Sequence, residues 1–299
     1  MVHETIEATN AVVTLDVGLP GIVWPWKVTI NMWAKSIGTG VILMLFYLLK
    51  KYPEQAGGMR LSTAIVSFIF LNIFLFFTLI DLHQPFRMWH IFAYGHFTSM
   101  ITIGAWMASL FTGLVTLLIL VAYFKKGDAL YDKILLWSAI LAVPVTLYTA
   151  GLMSQCTARE LWQMPTESAQ MILAALLAGS ATMILLGYKL PDEAKNSLAV
   201  ILGLSALASF ILYMAELVFG PMKAEEVAAV LELVKGHGEY TTMFWIGQTF
   251  AYLLPMVLVL LGVMNKSTSI LRVASVSALA GLYVAKDVWL KIPQLLPMS

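Results

Sequence analysis

Eight stretches of this chain are long and apolar enough to cross a membrane, which leaves it almost no soluble fold to adopt. They lie approximately at residues 28–50, 62–80, 97–124, 133–154, 168–188, 197–219, 241–264 and 269–289. Composition agrees: the 299 residues are 60% hydrophobic and 12% charged, with mean hydropathy +0.84, where a soluble domain carries about 25% charge. The expected fold is an all-α integral membrane protein of eight transmembrane helices, arranged as two four-helix bundles. Residues 28–164 would form the first bundle. Residues 165–299 would form the second, and 1–27 an N-terminal segment outside the membrane.

Charge and cysteine content narrow the function. A net charge of +1 gives no basis for nucleic-acid binding. The single cysteine, Cys156, excludes a disulfide framework and a cysteine-ligated iron–sulfur cluster within the chain. Residues 1–27 carry Glu4, Glu7 and Asp16 and lack the basic and apolar regions of a signal peptide, so insertion is expected to rely on the first span.

Eight is even, so both termini lie on one side. The short loops after the odd-numbered spans carry ten Lys/Arg, and the opposite side carries seven over longer segments. Cytoplasmic loops are enriched in Lys/Arg, which places the termini outside the cytoplasm. The stretch Asp81–His96, DLHQPFRMWHIFAYGH, then also faces outward. It holds three of the five histidines. In the segment Lys223–Lys235, Val227, Val230, Leu231 and Val234 fall on one helical stripe. Such a helix fits the membrane surface, a place under a partner, or its own bundle. A faint repeat is also legible, because Asp81 and Glu216 end two spans 135 positions apart, as do Tyr148 and Tyr283.

An ionisable side chain at the centre of a span costs about 2.5 kcal/mol or more, so each demands an explanation. Asn31 and Lys35 lie on one face of the first span, Asp81 ends the second, Tyr148 lies in the fourth, Glu216 in the sixth, and Lys286 and Asp287 in the eighth. All sit toward the outer end, and the inner halves are almost free of charge. Each has a plain structural reading. Lys35 can snorkel, Asp81 can pair with Arg87 to pin a loop, and Tyr148 can join an interfacial belt. Trp24, Trp26, Trp33, Trp89, Trp162, Trp245 and Trp289 are expected in that belt. The convergence of Asn, Lys, Asp, His and Tyr at one depth exceeds those readings and points to a single polar site near the outer face. No span interior contains a histidine, so haem ligation is not expected, and no metal site is.

The run DLHQPFRMWHIFAYGHFTSMITIGAWMASLF from Asp81 resembles the polysulfide-reductase membrane subunits of the NrfD/PsrC family. The resemblance rests on Asp81, Leu82, Pro85 and Arg87, then on Ser99, Met100, Gly104 and Trp106. It extends to YTAGLMSQCTARELW from Tyr148 to Trp162. Departures occur at His83-Gln84, at Ala150 and at Lys286 where the family carries an arginine. The resemblance implies a quinone-reactive membrane anchor, using menaquinone or ubiquinone, in a prokaryotic cytoplasmic membrane. It further implies an extracytoplasmic four-cluster iron–sulfur partner, linked to a molybdopterin catalytic subunit or a multihaem cytochrome. Carried onto this chain, Asn31, Lys35 and Tyr148 would hold the head group. Asp81, His83, Arg87 and His90 would form a rim for proton exit and docking. That chemistry is sensible: Lys35 can stabilise developing negative charge, and His suits proton transfer near neutrality. The competing readings are a small-anion transporter, with Lys35 as countercharge, and a redox-inactive anchor.

Overall fold

The computed structural model describes residues 22–187 and 190–296, so most of the expected segment 1–27 lies outside the described residues. Among the described residues, eight helices are long and apolar enough to span a membrane, and no strand forms. The protein is an all-α multi-pass membrane protein. The spans are α1 (Trp26–Lys51), α2 (Arg60–Asp81), α3 (Met100–Tyr123), α4 (Asp128–Ser154), α5 (Met164–Leu186) and α6 (Asp192–Phe219). A loop helix, α7 (Glu225–Glu232), precedes α8 (Thr241–Met264) and α9 (Thr268–Lys291). The two ends of the spans are called below the Asp81 end and the Arg60 end.

Local chemistry explains where the helices begin and turn. Pro53, Pro85 and Pro165 each fall in a first helical turn, where a missing N–H costs nothing. Pro255 instead lies inside α8, just after a π-helical turn at Thr249–Leu253. The lost donor leaves carbonyls on that turn short of a partner, and Ser277 Oγ donates to Phe250 O at 2.8 Å. A Cβ at Gly281 would collide with the Phe250–Ala251 backbone, so glycine there lets α9 reach the turn.

The spans pack as two circuits. In the first, α1 meets α2, α2 meets α3, α3 meets α4, and α4 returns to α1. In the second, α5, α6, α8 and α9 repeat the same order. The circuits join through α1 against α5, flanked by α4 against α5 and α9 against α1. Exchanging the two circuits leaves this pattern unchanged, in keeping with a parallel repeat. At the junction Gly40 and Gly179 touch backbone to backbone: a Cβ at either would run into the other helix. Burial follows from position, for α1 is 78% buried over its most apolar window, whereas α2 and α3 are 28% buried and turn outward.

The loop helix settles one open choice. Val227, Val230, Leu231 and Val234 are all buried, and Val227 and Leu231 crowd Gly220 at the end of α6. The apolar stripe of α7 therefore covers its own bundle. Two expected belt residues are interior as well, since Trp162 and Trp289 are each 4% exposed. Trp162 stacks on Trp24 with ring centroids 5.2 Å apart.

Candidate functional site

The interior charges cluster at the Asp81 end. Among the described residues the buried ionisable side chains there are Lys35, Arg159, Glu167, Glu216 and Lys286, with Lys195 near the Arg60 end. Lys35 is fully enclosed, so it does not snorkel to an interface. Its Nζ donates to Thr149 Oγ1 and sits 4.7 Å from the centroid of the Tyr148 ring. Among the described residues, no carboxylate lies within ion-pair distance of it.

Tyr148 is placed by its neighbours. A Cβ at Gly104 would overlap its ring, so glycine on α3 makes the space the phenol occupies. The Phe74 ring meets Tyr148 edge-on at 6.3 Å. Asn31 ties α1 to α2 from the other side, with Nδ2 donating to Phe74 O at 3.1 Å and to Thr78 Oγ1 at 2.5 Å. Lys35 and Tyr148 therefore meet inside the first circuit, and Asn31 joins them through Phe74, whose carbonyl it bonds and whose ring meets Tyr148.

The rim residues stand apart. Asp81 closes α2 half-buried, with Lys27 and His83 as its nearby charges. His83, Arg87 and His90 lie on the loop that follows, all three exposed, and no ion pair joins Asp81 to Arg87. The His90 ring packs on Trp89 at 4.1 Å and on Tyr94 at 5.5 Å. Exposed Phe86, Tyr94 and Phe97 give this loop an aromatic surface.

Sequence reasoning missed Glu167 and Gln170. An acidic residue in a first helical turn reads as a partner for the helix dipole, and Glu167 occupies that position on α5. In the structure it is 1% exposed and accepts from Trp289 Nε1 at 2.8 Å. Glu216, by contrast, is paired, taking both Lys223 bonds at 2.7 and 2.8 Å and one from Thr166 at 3.1 Å. Asp287 accepts from Thr29 at 2.8 Å and from Lys291 at 2.6 Å. The repeat partners Tyr148 and Tyr283 also differ, because the first is buried and the second partly exposed.

Outside the spans, burial pushes the Cys156 thiol up, partly offset by the Arg159 charge. Glu226, whose Oε2 accepts from the Glu160 amide at 3.0 Å, is likewise raised by burial. Neither belongs to the polar volume around Lys35.

Comparison with known proteins bears on the whole chain. The family model described as "Polysulphide reductase, NrfD" matches residues 18–291. A tetrathionate reductase subunit of Salmonella typhimurium (strain LT2) is 35% identical over 111 residues, covering 35% of this chain and 32% of that protein. The match thus spans about a third of the curated relative's length.

Proposed function

Because the chain belongs to the polysulphide reductase NrfD family, we propose that it is the quinone-reactive membrane subunit of a respiratory oxidoreductase complex. In this reading it exchanges electrons between a menaquinone or ubiquinone pool and an extracytoplasmic iron–sulfur subunit. The observation that carries the reading is the enclosed Lys35, which meets Tyr148 and Thr149 without a carboxylate partner among the described residues. A buried cation on a hydroxyl and a phenol, beside the Asn31 amide, is a donor set suited to two carbonyl oxygens between apolar walls. The residues present therefore fit a quinone head group.

Bound quinol supplies two electrons and two protons per oxidation. The chain's residues do the rest. The Tyr148 hydroxyl orients the ring by donating to one of its oxygens. Asn31 Nδ2 reaches the other by exchanging its bond to Thr78 for one to the ring. The Lys35 ammonium favours negative charge on those oxygens in a volume from which Phe74 helps exclude water. Asp81, at the mouth, accepts protons, and His83 and His90 pass them to the aqueous phase. Electrons leave to the partner, since no cysteine set for a cluster exists in this chain. That the curated relative is itself one subunit of a reductase supports a multi-subunit assembly. A four-cluster iron–sulfur protein, and through it a molybdopterin subunit or multihaem cytochrome, would dock on the Arg87–Phe97 surface. The setting would be a prokaryotic cytoplasmic membrane with both termini extracytoplasmic.

Titration of the chain in lipid nanodiscs with a quinol analogue tests this. Tyr148→Phe and Asn31→Leu should each weaken binding by about 0.5–1.5 kcal/mol, the worth of one neutral hydrogen bond. Unchanged affinity in both variants would move the site elsewhere.

A further inference from the structure

A cavity lies between the two circuits at the Asp81 end, lined by Met32, Met153, Glu167, Met171, Tyr213 and Lys286 among others. It has room for one ordered water. Glu167 and Lys286 both face it and are both buried, yet no direct ion pair joins them. Glu167 has one bond, from Trp289, and Lys286 Nζ finds only the Met171 thioether at 3.5 Å. A carboxyl and an amine with unused hydrogen-bonding capacity on a shared cavity call for a mediator.

A second observation points the same way. Within the second circuit, Ser209 Oγ and both amide atoms of Gln248 are buried without a partner, and Gln248 is fully enclosed. They accompany Tyr213 and Tyr252, whose rings lie 5.7 Å apart, and Gln170, which donates to the Ser209 carbonyl at 3.3 Å. Tyr213 also meets Trp289 edge-on at 4.9 Å, so this polar interior reaches the cavity. Orphaned buried polar atoms in a native interior are ordinarily met by water.

We infer that the second circuit encloses a water-occupied proton-exchange site in which Glu167 and Lys286 share one proton across the inter-bundle cavity. The step is a transfer between carboxylic acid plus amine and carboxylate plus ammonium, with the cavity water relaying the proton and no other reactant consumed. The groups facing Glu167 are Tyr213 and Glu216 from α6 with Lys223 behind it, and Lys286 with Trp289 from α9, while Lys35 from α1 faces Lys286. From α4 the cavity receives only Met153, which carries no charge. Lys35 and Lys286 act on each other electrostatically, so the charge of the shared site is felt at the first circuit. Its role as a proton store for quinol oxidation rests on the quinone reading; the shared proton itself does not.

Infrared pH titration of the quinone-free chain in nanodiscs, in H2O and D2O, tests the site. A protonated-carboxyl stretch that titrates should be present in the wild type, retained in Glu167→Asp and lost in Glu167→Gln. In Lys286→Met it should persist to higher pH, because the neighbouring ammonium no longer favours the carboxylate. Monodisperse elution and unchanged helical circular dichroism identify the variants that fold. A band unaltered by Glu167→Gln, or one indifferent to Lys286→Met, overturns the inference. Addition of the quinol analogue then separates the two proposals. A displaced band supports coupling to the first circuit. An unmoved band, with the titration intact, rejects that coupling and leaves the shared proton standing.

Discussion

Lys35 holds its amino group inside a protein core with a hydroxyl and an aromatic face for company and, among the described residues, no carboxylate in reach. Burying a cation on such terms costs several kcal/mol, which the fold bears from its other contacts. Stability and binding should therefore respond differently to its removal. Lys35→Met is expected to leave the quinone-free protein as stable as before or more so, as happens when buried ionic groups give way to apolar ones of similar volume. The same change should weaken quinol-analogue binding by about 1.5–3 kcal/mol, the worth of a charged hydrogen bond. Thermal unfolding in nanodiscs and ligand titration read the two effects separately. A destabilised Lys35→Met protein would mean that the lysine is structural.

Among the elements, the α1–α5 contact carries the junction between circuits, and it depends on two positions without side chains. Gly40→Leu or Gly179→Leu must drive the helices apart, because the obstructing atoms are backbone, and overpacking of this kind costs about 1–3 kcal/mol or more. Gly113→Ala on α3 is the matched control: nothing lies near its would-be Cβ, and alanine should stabilise the helix by about 0.5–1 kcal/mol. Denaturation midpoints of the three variants decide the matter. This level also separates what the sequence made legible from what it hid. Apolar length sets the spans, and the expected 62–80 and 269–289 became Arg60–Asp81 and Thr268–Lys291. Asn31, Lys35 and Tyr148 were readable because polarity in an apolar run stands out; Lys35 and Tyr148 are in contact, and Asn31 bonds Phe74, which packs on Tyr148. Glu167 and Trp289 were not readable. A first-turn acid and an end-of-span tryptophan look like a dipole partner and a belt residue until packing turns both inward. Nor does any sequence pattern show that Lys35 and Lys286, on the first and last spans, come to share one region.

Over the whole molecule, polarity is divided by depth. In the half toward the Arg60 end, Ser67, Ser138, Ser180, Thr182 and Ser275 all commit their hydroxyl protons to backbone carbonyls at 2.7–2.9 Å. Val41, Ile42, Leu45 and Leu48 fill the space between them. These five hydroxyls, engaged in this way, offer water no chain to follow. Protons released at the Asp81 end should leave there, and electrons taken by a partner on the same side should accompany them. Turnover in liposomes, with an acceptor outside and a voltage-sensitive dye, is expected to give no membrane potential. A potential that grows with turnover and collapses with an uncoupler would show a path through the apolar half.

The Gly40–Gly179 contact has an evolutionary meaning. At the offset of 135 the copy of Gly40 is Ala175, and a Cβ at Gly40 would strike Ala175 O as well as Gly179 one turn on. Corresponding turns of the two circuits thus lie against each other as they would about a two-fold axis. Each circuit has four spans, so a half-chain would insert with the same orientation as its sibling, as a gene duplicated and fused would require. The peptide link at residues 155–163 would then be a late addition to an older dimer contact. Two half-chains cut within that link and produced together should find each other and co-purify. Gly40→Leu should abolish their assembly while each half still inserts.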